Sequence, residues 1–297
     1  QQNLTWLCSY SITNTGSITV NGGNQMALDN RANIDALTNN GTLSSTDATG
    51  TYGLSNSAGS TISSLVNTGT ISSGNVGLRN TLNSTITLLN NSGTISGASK
   101  GIGNTSGTLI TLLNSGTISS SAGAGVYIET SNFVASVGTI TNTGSIIGVT
   151  AGINNVNATL GTLNNKQGAG NVNGALTYTG VLPTNYNIII AGTSTYGKLA
   201  ATAVTGSTNF GISTLSTTDS SILNSTLSGV LSGVTPAQLG FGDATTYYST
   251  SNDYWYTLTQ TDSVNNIWSL TVTCYGSGCG TTIGSGMTVG LANLSPS

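Results

Sequence analysis

The chain has very little charge and no histidine. Only 4% of its 297 residues are Asp, Glu, Lys or Arg, and the formal net charge is −3, whereas about a quarter of an ordinary soluble domain is charged. Without histidine, a histidine-dependent triad and the commonest general base are excluded. So few Lys and Arg side chains cannot neutralise the backbone phosphates of a nucleic acid, which excludes nucleic acid as a partner. The low net charge also leaves repulsion between copies weak, so self-association is not opposed.

Carboxylates and long apolar runs are equally scarce. Asp29, Asp35 and Asp47 are the only acids of the N-terminal half that lie near one another in the chain, with Arg31 between them, and they recur at no fixed spacing. Glycan-cleaving enzymes need paired carboxylates, so we predict no enzymatic activity, no cofactor and no metal. The longest aliphatic stretch, 188–191, is far shorter than the roughly 18 apolar residues of a membrane helix, so no transmembrane helix is expected.

Only three cysteines are present. Cys274 and Cys279 bracket a Tyr-Gly-Ser-Gly loop, and we predict a local disulfide in the tail 274–297. Cys8 is then left over, either for an intermolecular disulfide or as a free thiol. Disulfides are typical of exported proteins, and a chain that begins Gln-Gln without Met looks like a product from which a signal peptide has been removed. We therefore expect an extracellular protein.

What is abundant is a repeated phrase, Asn-x-Gly-Thr-Ile and its variants. Its glycines follow one another at steps of 23 to 28 residues, which is too long for a hairpin and suits one coil of a solenoid. Disorder is excluded because disordered chains combine low hydrophobicity with high charge, whereas here aliphatic residues recur in register. The six glycines are Gly16, Gly41, Gly69, Gly93, Gly116 and Gly144.

Two further recurring patterns define the inside of each coil. One is a Gly-aliphatic-x-Asn step, as at 53–56, and the other is an aliphatic pair spaced by three, as at Ile62 and Leu65. Three short β-type segments per coil, separated by Gly, Asn and Ser, predict a parallel β-helix over 11–175. About seven coils at a strand spacing of about 4.8 Å give a rod on the order of 35 Å tall.

Stacking of these coils places equivalent residues above one another. We predict that one aliphatic file is buried in the interior: Ile18, Leu43, Ile71, Ile95, Ile118 and Ile146. We also predict a corner file of asparagines whose amides hydrogen-bond along the stack: Asn14, Asn39, Asn67, Asn91, Asn114 and Asn142.

The phrase stops at Gly174, and a β-rich C-terminal region with hairpins is predicted over 176–273. The segment 176–190 is predicted to be a strand, a turn and a second strand. A hairpin is predicted over 253–272 around the polar turn 262–266, while 223–240 is either a short helix or a loop. The large aromatic residues cluster here and either cap the open end of the solenoid or form a stacking surface for sugars: Tyr247, Tyr248, Tyr254, Trp255, Tyr256 and Trp268.

The first ten residues precede the first full coil. They are apolar and β-prone, with Leu4, Trp6 and Leu7 in the run Leu-Thr-Trp-Leu-Cys. Such a segment is poorly suited to stand alone in water, so 1–10 either folds over its own first coil as a cap or serves as an assembly strand.

With the coils followed by LTYTGVLPTNYNIII, TSTYGKL and a WSLTV strand, the chain resembles the passenger region of Gram-negative autotransporters and related surface adhesins. The resemblance covers about 11–273. It implies display at the bacterial outer cell surface and roles in adhesion, aggregation or matrix formation. The family's translocating barrel needs at least about eight strands of about ten residues, and only some two dozen residues follow Cys274. The resemblance therefore implies a cleaved passenger or a relative exported by another route.

Two functional hypotheses follow from different classes. The first is a structural surface protein, an adhesin or a matrix fibre subunit, whose main partner is itself in an end-to-end homopolymer. The second is a glycan-binding or glycan-cleaving surface protein that uses the aromatic C-terminal region. In either case cell-surface glycans and host or neighbouring cells are the expected external partners.

Overall fold

The computed structural model describes residues 10–240, 246–249 and 254–274, with the backbone alone for 246–249. The predicted all-β class and the parallel β-helix are confirmed, since the chain is 62% strand and 2% helical and forms a solenoid of about eight turns. Each of the first six coils contributes one strand to each of three sheets, A, B and C, whereas the later coils extend sheets A and C only.

Strands are numbered in chain order. Sheet A contains, in spatial order, β1 (Ser11–Asn14), β4 (Ile34–Asn39), β7 (Thr61–Asn67), β10 (Thr85–Asn91), β13 (Thr108–Asn114), β16 (Ser136–Asn142), β19 (Thr159–Asn165), β22 (Asn185–Ile188) and β26 (Asn209–Ile212). Sheet B contains β2 (Ser17–Val20), β5 (Thr42–Ser45), β8 (Thr70–Ser73), β11 (Thr94–Gly97), β14 (Thr117–Ser120) and β17 (Ser145–Ile147).

Sheet C is the longest. It contains β3 (Met26–Asn30), β6 (Tyr52–Asn56), β9 (Val76–Thr81), β12 (Lys100–Thr105), β15 (Ala124–Glu129), β18 (Ala151–Asn155), β21 (Leu176–Val181), β25 (Leu199–Thr205), β27 (Ser225–Ser232), β30 (Ile267–Cys274), β29 (Tyr254–Asp262) and β28 (Thr246–Ser249). A small sheet D contains β20 (Gly168–Ala169), β24 (Thr195–Gly197) and β23 (Ile190–Gly192). Two 3-10 turns lie at Ser220–Ile222 and Pro236–Gln238, and no helix in the described part of the chain is long and apolar enough to cross a membrane.

The repeat phrase sets the register between coils. Ile95 pairs with Ile71 on one side and with Ile118 on the other, in parallel strands. All three side chains are completely buried, and each contributes roughly 1.5–3 kcal/mol of hydrophobic stabilisation. The file is buried as predicted from Leu43 to Ile146, but Ile18 is 40% exposed. Ile18 belongs to the first coil that the structure describes, so its inward face lies at the end of the described stack.

The glycines of the phrase stack along one corner, as predicted. A Cβ atom built on Gly93 would lie 2.1 Å from the carbonyl oxygen of Gly69, and one built on Gly116 would lie 2.1 Å from that of Gly93. The backbones of successive coils therefore approach too closely for any side chain at this position.

The parallel stack continues past Gly174, where the repeat phrase ends. Strands β22 and β26 extend sheet A in parallel register, so that Leu163, Tyr186 and Phe210 follow one another inside the solenoid. Both aromatic side chains are buried. The stack reaches about eight turns, close to the predicted count of about seven, because the interior position requires a large apolar side chain and not the phrase itself.

Antiparallel strands extend sheet C beyond the last coils. The predicted hairpin is present as β29 and β30, and the carboxylate of Asp262 accepts hydrogen bonds from the backbone amides of Val264 and Asn265 in its turn. The prediction of a helix or a loop over 223–240 was wrong for its first part. That part forms β27, which pairs with β25 and β30.

Candidate functional site

The predicted asparagine file forms a continuous ladder inside sheet A. Each side-chain amide nitrogen donates to the side-chain oxygen of the next asparagine, at 2.8 Å from Asn14 to Asn39, 2.7 Å from Asn39 to Asn67 and 2.7 Å from Asn67 to Asn91. The remaining steps are 2.8 Å to Asn114, 2.8 Å to Asn142 and 3.1 Å to Asn165, a seventh member that was not predicted because it lies outside the Asn-x-Gly phrase. The ladder satisfies buried polar groups that would otherwise destabilise the core.

A second ladder lies at the end of the sheet C strands. Asn30 donates to Asn56 at 2.7 Å, Asn56 to Asn80 at 2.9 Å and Asn80 to Asn104 at 2.8 Å. It stops there because Ile128 occupies the equivalent position in β15. The recurring Gly-aliphatic-x-Asn step was the signal for this ladder, but its asparagines were not recognised as a hydrogen-bonded file.

Replacing Asn91 by alanine tests the ladder. The change removes the acceptor for Asn67 and the donor to Asn114, which leaves buried amide groups without partners. We expect a loss of about 2–3 kcal/mol in the free energy of unfolding, measured by urea denaturation. The matched control is Asn90→Ala, since the neighbouring side chain is only partly buried and lies outside the ladder. Equal losses in both variants would contradict an energetic role for the ladder.

The C-terminal aromatic cluster is largely buried. Tyr254, Tyr256 and Trp268 are 6%, 1% and 4% exposed, and the indole nitrogen of Trp268 donates to the carbonyl of Val234 at 2.9 Å. These three rings belong to the buried hydrophobic core, so they do not offer exposed faces for stacking sugars, whereas Trp255 is partly exposed. Tyr247 and Tyr248 lie in β28, whose side chains are outside the described residues.

The N-terminal end of the solenoid is more open. Ile12 and Ile18 are 39% and 40% exposed, whereas Leu37 and Leu43, their partners in the next coil, are fully buried. Leu4, Trp6 and Leu7, predicted as assembly residues, lie outside the described residues, so their role stays a prediction.

Asp29 accepts from the guanidinium of Arg31 at 2.7 Å in an exposed ion pair. Within residues 10–240 and 254–274, no group of three or more His, Cys, Asp and Glu side chains is arranged to hold a metal ion.

Cys274 is disulfide-bonded, while Cys279 and Cys8 lie outside the described residues. The predicted pairing of Cys274 with Cys279 can be tested by peptide mapping under non-reducing conditions. We expect a cross-linked peptide containing 274 and 279, because the four-residue loop brings the two thiols together. A link from Cys8 to Cys274 or Cys279 within one chain would contradict the assignment.

Comparisons of the chain with protein-family models, with curated proteins and with solved structures give no match.

Proposed function

We propose that this chain is an exported structural protein of the cell surface, an adhesin or a matrix fibre subunit, that assembles end to end into filaments. The resemblance to autotransporter passengers supports this proposal, and a β-solenoid of about eight turns is compatible with such a passenger. The observation that carries it is the open apolar end at the first coil.

The first coil presents both apolar surface and backbone hydrogen-bonding groups. Among the residues that the structure describes, β1, β2 and β3 each have a hydrogen-bonded neighbour on one side only. Unpaired strand edges accept further strands, and the exposed Ile12 and Ile18 gain hydrophobic stabilisation if another coil or strand covers them. This end is therefore suited to receive a second copy.

The opposite end supplies a complementary edge. Sheet C runs from β3 at one edge to β28 at the other, and in the described part of the chain β28 pairs only with β29. Contact between the two different ends is heterologous, so it propagates into an open filament and does not close as a dimer. With a net charge of −3, the copies repel one another little during this approach.

The segment 1–10 is the proposed connector. It is apolar and β-prone, it leads directly into β1, and it contains Cys8. We propose that it pairs with the aromatic C-terminal region of the next molecule, where Cys8 is available for an intermolecular disulfide.

Deleting Gln1 to Tyr10 tests this connector. We expect the deletion to abolish filaments, because one partner of the contact is removed, while the solenoid stays folded. Electron microscopy and sedimentation measure assembly, and circular dichroism measures folding. A truncated protein that still forms filaments, or a full-length protein that stays monomeric at high concentration, would contradict the mechanism.

A point variant tests the role of the open end in assembly independently of the connector. Ile18→Lys places a charge on the exposed apolar surface of the first coil, so we expect reduced assembly with little loss of stability. The matched control is Ile110→Lys, because Ile110 is similarly exposed at 46% but lies on the lateral face of sheet A. Filaments that tolerate Ile18→Lys as well as Ile110→Lys would exclude this end as the contact surface.

A further inference from the structure

Three charged side chains lie close together on the outer face of sheet C, although the chain as a whole has few charged residues. Arg79 and Lys100 are two of the five cations, and Glu129 is the only glutamate. They lie on β9, β12 and β15 together with Tyr52 on β6 and Tyr127 on β15. All five side chains are partly exposed, and they alternate with fully buried residues of the same strands. Packing of the solenoid interior therefore does not account for the clustering of these five outward-facing side chains.

A hollow lies between these side chains. The strand register places Gly103 between Arg79 on one side and Tyr127 on the other. Since Gly103 has no side chain, it leaves a cavity of about 260 Å³, somewhat smaller than the roughly 300–1,000 Å³ of a typical small-molecule site. The hollow has room for one small ring. Its polar wall contains Asn75, Thr81, Ser99 and Thr105.

The two cations are held in place by aromatic rings. The guanidinium carbon of Arg79 lies 4.6 Å from the centre of the Tyr52 ring, and the ammonium of Lys100 lies 3.8 Å from the centre of the Tyr127 ring. Such contacts are worth about 0.5–2 kcal/mol and leave the N–H groups of both cations able to donate hydrogen bonds to a ligand. In the described part of the chain the one ion pair is Arg31–Asp29, so neither cation has a carboxylate within 4.0 Å.

The electrostatic state of the hollow favours an added anion. Burial lowers the pKa of Lys100, the charge of Arg79 lowers it further, and Glu129 opposes both effects. The charges of Arg79, Lys100 and Glu129 sum to +1, which a single carboxylate balances. A doubly charged phosphate monoester would exceed that balance and would meet the negative charge of Glu129.

We propose that this hollow binds one acidic sugar unit, such as a uronate. Its carboxylate would lie between Arg79 and Lys100, where charge-assisted hydrogen bonds are strongest. Its ring hydroxyls would face Thr81, Thr105 and the acceptor oxygens of Glu129. The site differs from the aromatic C-terminal region. It lies on the lateral face of the solenoid, on strands that are not at the sheet edge, so it is available in a monomer and in an end-to-end filament alike.

The test is a titration of the purified full-length chain with glucuronate, with glucose and with inorganic phosphate, followed by calorimetry and by ligand-observed NMR. We expect weak, salt-sensitive binding of glucuronate in the millimolar range, which is usual for a single charged unit in a small site, and little binding of glucose. Equal binding of glucose would overturn the role of the cations. Phosphate that binds as well as glucuronate would overturn the assignment to a sugar.

Two variants distinguish the contribution of the cationic charge to binding from that of the empty volume in the hollow. Lys100→Gln removes one cation, and Gly103→Thr fills the hollow but keeps both cations. A Cβ on Gly103 meets only side-chain atoms of Lys100 and Val76 at 3.4 Å, so Gly103→Thr is expected to fold. We expect each variant to weaken glucuronate binding by about tenfold or more, while Lys166→Gln, a charge removal elsewhere, has no effect. Wild-type protein that does not bind glucuronate, or binding that both variants leave unchanged, would overturn the proposal.

Discussion

Ile118→Asp is expected to unfold the central coils of the solenoid. The side chain is completely buried and pairs with Ile95 and Ile146 in neighbouring coils. Truncating such a residue costs about 2–5 kcal/mol, and an unpaired buried charge adds several more. This sum approaches the whole stability of about 5–15 kcal/mol that is usual for a domain. Circular dichroism during thermal and urea denaturation measures the effect.

The same substitution on the outer surface provides the control. Ile110 lies in β13 and is 46% exposed, so Ile110→Asp buries no charge and should change the unfolding free energy by only about 0.5 kcal/mol, as surface substitutions usually do. The pair has the same chemistry and differs only in burial. Similar stability for Ile118→Asp and Ile110→Asp would show that the assignment of inward and outward positions is wrong.

Gly93→Ala is expected to be almost as damaging, although it adds a single methyl group. The new Cβ would lie 2.1 Å from the oxygen of Gly69 and 2.6 Å from the carbonyl carbon of Thr68. Both are backbone atoms of the preceding coil, so relief requires the two coils to separate and their parallel hydrogen bonds to break. We expect a loss of more than about 4 kcal/mol, a magnitude that marks a backbone clash or a major core defect.

Two other glycines serve as controls for the effect of replacing glycine by alanine where no backbone clash results. A Cβ on Gly16, in the first copy of the phrase, has nothing within 4 Å. Gly103 lies in the central coils, and a Cβ there would make only ordinary contacts with side chains. Gly16→Ala and Gly103→Ala should therefore change stability by about 1 kcal/mol or less. If Gly93→Ala behaved like these two, close coil stacking would not be the reason for glycine in the phrase.

The architecture of the repeats follows from the sequence because a solenoid is a local structure. Each coil contacts only its neighbours, so a phrase that recurs every 23 to 28 residues specifies the interior file, the glycine corner and the first asparagine ladder together. Ile71, Asn67 and Gly69 lie in one short phrase, and each position has one physical requirement: an apolar side chain, a hydrogen-bonding amide or no side chain. These requirements could be predicted from the repeated phrase alone.

The sequence pattern did not predict the later coils, because the interior position stayed apolar there but was occupied by a different residue type. Tyr186 and Phe210 occupy the positions of Leu163 in later coils, so the phrase ended at Gly174 while the stack continued. The exposure of Ile18 could not be predicted either, because the buried copies of the phrase also have an aliphatic residue at this position. Only its place at the end of the stack distinguishes it.

The hollow on sheet C depends entirely on which residues of neighbouring coils lie side by side. Arg79, Gly103 and Tyr127 follow one another at steps of 24 residues and belong to different coils, so nothing in the local sequence brings them together. The parallel register aligns them on one outer face, where burial does not restrict the choice of residue. The stacked core therefore follows from the sequence alone, since each of its positions must satisfy a repeated physical constraint. The arrangement of charges and rings on the surface depended on which coils became neighbours.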